Sequence, residues 1–162
     1  MCDSRTPVLY AEDEEPDRLF MRIAFDHAGL GSALRTVPDG KAAIDYLSGI
    51  GPYADRSLHP LPALLLLDLN MPLLPGFKVL EWVRAHPAFR ALPVIIFTSS
   101  TQDEDRAQAK ALGATDYIEK PSAMAKWAEI ALHLKQTWNL SAADADTAAS
   151  APRPPTQPRP GC

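Results

Sequence analysis

The chain has 162 residues, 46% of them apolar and 22% charged, with a net charge of −4. That is one ordinary domain with enough apolar material for its own core, and its mild acidity gives no general attraction to nucleic-acid phosphates or anionic lipid. The densest apolar run, residues 61–67, is far too short to span a bilayer and contains Pro62.

Short apolar runs alternate with helix-like segments along the chain. Residues 8–11 predict a strand, and an amphipathic helix follows over 16–28. A second strand is predicted over 34–37, punctuated by Pro38-Asp39-Gly40, and a helix over 41–48. Residues 49–60 form a polar insertion containing Gly and Pro. The clearest buried strand is 63–67, followed by a helix over 77–85. A β-branched strand over 94–97 leads to a helix over 103–112 that stops at Gly113. Tyr117 and Ile118 make a fifth strand, and the last helix runs over 122–138. In that helix Met124, Trp127, Ala131, Leu134 and Trp138 step by three and four, which marks a core-facing stripe.

Five βα repeats predict an α/β fold, a doubly wound five-stranded parallel sheet with helices on both faces. The domain is expected over 7–140, after a short extension at 1–6. Beyond it, 141–162 is rich in Ala and Pro, with five prolines in the last eleven residues, and is expected to be disordered. The cysteines are Cys2 and Cys162 alone, a pattern with neither disulfide nor metal-ligand spacing. Residues 1–5 show no apolar signal stretch, so a cytoplasmic protein is expected. His27, His59, His86 and His133 have no metal-ligand spacing and read as surface or packing residues.

In open parallel sheets, ligands bind beyond the carboxyl ends of the strands. Glu12 and Asp13 follow the first strand, Asp68 the third, Thr98 the fourth, and Lys120 the fifth. Each has an ordinary reading by itself: a helix N-terminal acid pair, a turn aspartate, a strand-end hydroxyl, a surface lysine. Together they bring three carboxylates, a hydroxyl and an ammonium to one edge. Clustered carboxylates call for a cation, and an oxygen-only site suits Mg²⁺. A screened aspartate can act as nucleophile toward a phosphoryl group. Glu14 and Glu15 are expected to cap the first helix.

On Glu12-Asp13, Asp68-Leu69-Asn70-Met71-Pro72, Gly76, Thr98-Ser99, Gly113-Ala114-Thr115-Asp116-Tyr117 and Lys120-Pro121, the chain resembles the response-regulator receiver family, the CheY-like or flavodoxin-like receiver fold. The resemblance implies a two-component phosphoprotein, not an enzyme in its own right. By it, Asp68 is the phosphoacceptor, Asp13 the direct metal ligand, and Glu12 its neighbour acting through water. Asn70 lends its backbone carbonyl to Mg²⁺, Lys120 pairs with the phosphate, Thr98 and Tyr117 form the switch, and the Lys120-Pro121 bond is cis. Glu-Asp in place of Asp-Asp, Pro16-Asp17-Arg18-Leu19 and the 49–60 insertion resemble the regulators that partner phytochrome-type histidine kinases. The implied partners are a sensor histidine kinase, a downstream target or phosphotransfer protein, and a second copy through the face of the fourth helix, fifth strand and fifth helix. No nucleic acid or membrane is implied.

Two other functions compete. An aspartyl-phosphate phosphatase of the haloacid-dehalogenase type needs an acid two residues after its nucleophile, where this chain has Asn70. A receiver-like scaffold that no longer phosphorylates would need none of the strand-end groups the chain retains.

Overall fold

The computed structural model describes residues 7–141. The expectations for 1–6 and for 142–162 concern residues outside those described. Five strands, β1 (Val8–Ala11), β2 (Leu34–Val37), β3 (Leu64–Leu67), β4 (Val94–Thr98) and β5 (Asp116–Glu119), form one parallel sheet in the order β2-β1-β3-β4-β5. The helices are α1 (Glu15–His27), α2 (Gly40–Ser48), α3 (Gly76–Ala85), α4 (Asp103–Ala111) and α5 (Met124–Thr137). Single 3-10 turns at Gly31–Ala33 and Gly51–Tyr53 add to the expected elements.

The strands divide their side chains between two cores, as a period of two requires. Val8, Tyr10, Leu64, Leu66, Ile95 and Phe97 face α1 and α5 on one side. Leu9, Ala11, Leu65, Leu67, Val94 and Ile96 face α2, α3 and α4 on the other. Because both faces are covered, β3 is an unbroken run of leucines, all buried. Each such side chain contributes about 1.5–3 kcal/mol relative to exposure. Trp127, Ala131 and Leu134 of the α5 stripe are buried, whereas Met124 at its start is 37% exposed.

Local chemistry fixes the connections. Asp39 caps α2 by accepting from the Ala42 N–H at 2.7 Å, and Gly49 ends it in the left-handed region at φ 69°. The insertion then folds back. Arg56 donates to the carbonyls of Tyr46, Leu47 and His59, supplying donors that the last turn of a helix leaves wanting. Tyr53 and His59 pack edge-on against each other and around Tyr46.

Candidate functional site

The sheet order reverses between β1 and β3, the switch point at which open α/β sheets place their ligands. Ala11 lies level with Leu67 on one side and Val37 on the other. The ladders run one step past the strands: the Glu12 N–H donates to Val37 O at 3.0 Å and the Asp68 N–H to Ala11 O at 3.2 Å. At the far side the Lys120 N–H donates to Thr98 O at 2.7 Å. The same backbone bonds that build the sheet therefore set Glu12, Asp68 and Lys120 along its carboxyl edge.

Lys120 is the hub of the cluster. Its Nζ lies 2.5 Å from Glu12 Oε1, 2.7 Å from Asp17 Oδ2 and 3.2 Å from Asp68 Oδ2. Burial alone would lower the ammonium's pKa, but hydrogen bonds to Asp17 and Glu12 and the charge of Asp68 outweigh it and hold it above its ordinary value. Glu12 is wholly buried. It also accepts from the Tyr10 hydroxyl at 3.0 Å and from the Glu14 N–H at 3.1 Å. Burial is the main cause that pushes its carboxyl up to about 7; Lys120 pulls the other way, and the Asp68 charge reinforces the rise. Burial and then the Glu12 charge drive the Tyr10 phenol far above its ordinary range, so it stays a donor. Asp68 has its Oδ1 held by the Leu69 N–H at 2.8 Å, leaving Oδ2 toward Lys120.

Asp13 completes the group in a different way. Its Oδ1 is the one buried side-chain oxygen or nitrogen among the described residues without a hydrogen-bond partner, and leaving a charged oxygen unmatched is costly. One carboxylate oxygen each from Glu12, Asp13 and Asp68 fall within 4.8 Å of one another. An unmatched oxygen in an all-carboxylate set fits a hard divalent cation.

Thr98 is buried, with Oγ1 accepting from the Ser100 N–H at 3.3 Å. Tyr117 is buried too, its hydroxyl donating to Ser100 O at 3.0 Å and its ring 4.5 Å beneath the Arg106 guanidinium. Asn70 is exposed, in the loop after β3. Gly76, at the start of α3, lies against Asp68. A Cβ there would sit 2.1 Å from the Asp68 carbonyl oxygen, so the close approach admits only glycine.

Three expectations change. All peptide bonds of the described residues are trans, Lys120-Pro121 included. The trans form is the intrinsic preference of X-Pro bonds, and with it Lys120 still reaches its carboxylates while Pro121 O accepts from Trp127 Nε1 at 3.1 Å. Glu14 stands at the N-cap of α1 but its side chain makes no capping bond; its own N–H donates to the Glu12 carboxylate at 3.1 Å. Asp17, absent from the sequence-based set, joins the cluster from the first turn of α1. In sequence it reads only as an acid in the first turn of a helix, an ordinary place for one.

A family model described as the response regulator receiver domain matches residues 8–131. Among solved structures, the phosphorylated cyanobacterial phytochrome response regulator RcpA is 27% identical with a TM-score of 0.76, covering 83% of this chain and 94% of its own. The response regulator RPA3017 in red light signalling of R. palustris is 37% identical with a TM-score of 0.77, covering 82% and 93%. The Mn²⁺-bound form of response regulator Rcp1, a protein of Synechocystis, is 26% identical with a TM-score of 0.72, covering 82% and 94%.

Proposed function

This chain belongs to the response regulator receiver domain family, and on that premise we propose that it accepts a phosphoryl group on Asp68 from a sensor histidine kinase of the phytochrome type. One observation carries the reading: Asp68 lies between an ammonium 3.2 Å away and an acidic pair that contains an unmatched buried oxygen. RcpA, a similar protein, has been captured phosphorylated, and RPA3017 acts in red light signalling.

Glu12, Asp13 and Asp68 would hold Mg²⁺, with the backbone carbonyl of Asn70. When bound, the cation screens the carboxylates so that a dianionic phosphoryl group can approach; Rcp1, a similar protein, has been seen with Mn²⁺. Oδ2 of Asp68, the oxygen that the Leu69 N–H does not hold, forms the new bond to phosphorus as the phosphorus–nitrogen bond of the kinase phosphohistidine breaks, the electron pair leaving with the imidazole. Lys120 donates to a phosphoryl oxygen as charge gathers there. The Thr98 hydroxyl leaves the Ser100 N–H, from which it accepts, and donates its own O–H to a phosphoryl oxygen; Tyr117, tied to the same Ser100, carries the change to α4 and β5. That face holds a cavity of about 270 Å³ beside Arg106, Lys110, Asp116 and Tyr117. There a downstream protein, a phosphotransfer protein or a second copy would read the state.

Incubation with acetyl phosphate and Mg²⁺, followed by intact mass, tests the reading. The wild type gains one phosphoryl group; Asp68→Asn and the chelated protein gain none. An unlabelled wild type, or a label that persists in Asp68→Asn, sinks it. Red-light-dependent transfer from a candidate phytochrome kinase tests the partner.

A further inference from the structure

The mouth of the site is a cavity of about 350 Å³ between α1, the end of β4 and the start of α5, lined among others by Asp17, Phe20, Ser99, Lys120, Met124 and Trp127. Asp17 and Lys120 are the only charged residues of that lining, and they pair across it at 2.7 Å. They come from positions 103 residues apart.

An ammonium has three N–H donors and no more. Lys120 hydrogen-bonds Asp17 and Asp68 and lies in ion-pair contact with Glu12, so in the metal-free protein three carboxylates already engage its ammonium before any phosphoryl group arrives. A phosphoryl oxygen that pairs with this ammonium therefore competes with them. Glu12 is fully buried and further tied by Tyr10 and the Glu14 N–H; releasing it would strand a buried charge. The Asp17 side chain is 23% exposed, so water can take over its hydrogen bonds at small cost. The cheapest exchange is Asp17 for phosphoryl. The first turn of α1, which carries Asp17, is itself pinned to the end of β1 by Arg18 donating to Glu12 O at 2.6 Å.

We propose that Asp17 is a positioning residue that competes with the phosphoryl group for Lys120, so that its carboxylate restrains the charging of Asp68. The inference rests on the phosphoacceptor reading. Asp17 touches neither phosphorus nor the cation; it acts through Lys120 and through its negative charge at the mouth that an anionic donor must pass.

The test uses the full chain with Mg²⁺ and beryllofluoride, a phosphoryl mimic, followed by tryptophan fluorescence, since Trp127 lines the mouth. Wild type, Asp17→Asn, Asp17→Ser and Asp17→Glu are compared, with urea unfolding of each. Removing the charge should tighten beryllofluoride about fivefold and speed labelling by phosphoramidate by a similar factor. Asp17→Glu should restore wild-type behaviour. A purely structural ion pair would lower the urea midpoint and leave the affinity unchanged. Wild-type affinity in both uncharged variants, or an Asp17→Glu that behaves like Asp17→Asn, overturns the positioning role alone. A wild type that neither binds beryllofluoride nor labels overturns the phosphoacceptor reading and this inference with it.

Discussion

The Tyr117 hydroxyl donates to the backbone carbonyl of Ser100 at 3.0 Å across the gap between β5 and the loop after β4. The same Ser100 gives its N–H to Thr98 Oγ1 at 3.3 Å and its hydroxyl to Asp105 Oδ2 at 2.6 Å. One residue thus joins the strand-end hydroxyl, the buried ring and the first turn of α4. A rearrangement at Thr98 must pass through it.

Thr98→Ala should still bind beryllofluoride with Mg²⁺, since Asp68 and Lys120 remain. It should lose the coupling to Tyr117. In wild type the mimic should shift the ring resonances of Tyr117; in Thr98→Ala those resonances should stay put. A full shift in the variant would refute the coupling. Tyr117→Phe should cost about 1 kcal/mol in urea unfolding, the worth of one such hydrogen bond.

Lys120→Met should leave Glu12, Asp17 and Asp68 facing a site without its ammonium. Losing one partner of a largely buried ion pair costs about 3 kcal/mol or more. The loss should be smaller at pH 5 than at pH 8, because the Glu12 carboxyl, pushed up to about 7 by burial, is protonated at pH 5 and no longer needs the cation. Urea unfolding in chelator at both pH values measures it; equal losses would show that the lysine matters for packing, not charge.

The Glu12 carboxyl gives the metal-free protein a pH slope. Its ordinary value is 4.5 and burial raises it to about 7. Between those values the folded state binds more protons than the unfolded chain, so stability falls as pH rises. The contribution is whole below about pH 4.5 and is lost as the pH passes through 7. With chelator present, the difference in urea midpoint between wild type and Glu12→Gln should shrink and then reverse in favour of the variant across that window. A constant difference would contradict the raised value.

Gly76→Ala should be among the most disruptive conservative changes. The added methyl would meet the Asp68 carbonyl at 2.1 Å and Leu69 Cα at 2.9 Å, both backbone atoms that cannot rotate aside. A cost of about 1–3 kcal/mol is expected from such overpacking. Labelling by acetyl phosphate should slow as well, because the displaced backbone carries Asp68. Normal labelling in a destabilised variant would separate packing from chemistry.

The strands were legible because their apolar runs are short, dense and bounded by turn residues. Strand ends in a parallel sheet share one edge, so Glu12, Asp13, Asp68 and Lys120 could be brought together without knowing a single distance. Asp17 was not legible in the same way. Its role depends on a lysine 103 residues away and on how α1 leans over β1, which no local pattern encodes. The Tyr10 hydroxyl is a similar case: in sequence it is one apolar member of a strand, yet its oxygen reaches past the core to Glu12. The trans Lys120-Pro121 bond shows the reverse failing, where family resemblance outran the general preference of the peptide bond.

The Arg56 fastening of residues 49–60 has a practical corollary. The segment joins α2 to β3, so it sits on the rim where strands begin, a full strand length from the carboxylates. Its exposed positions Asp55, Ser57 and Leu58 flank the half-buried Arg56 that anchors it. A fluorophore or affinity handle grafted there would travel rigidly with the body of the molecule, giving a fixed reference mark against which movements at the opposite rim can be gauged.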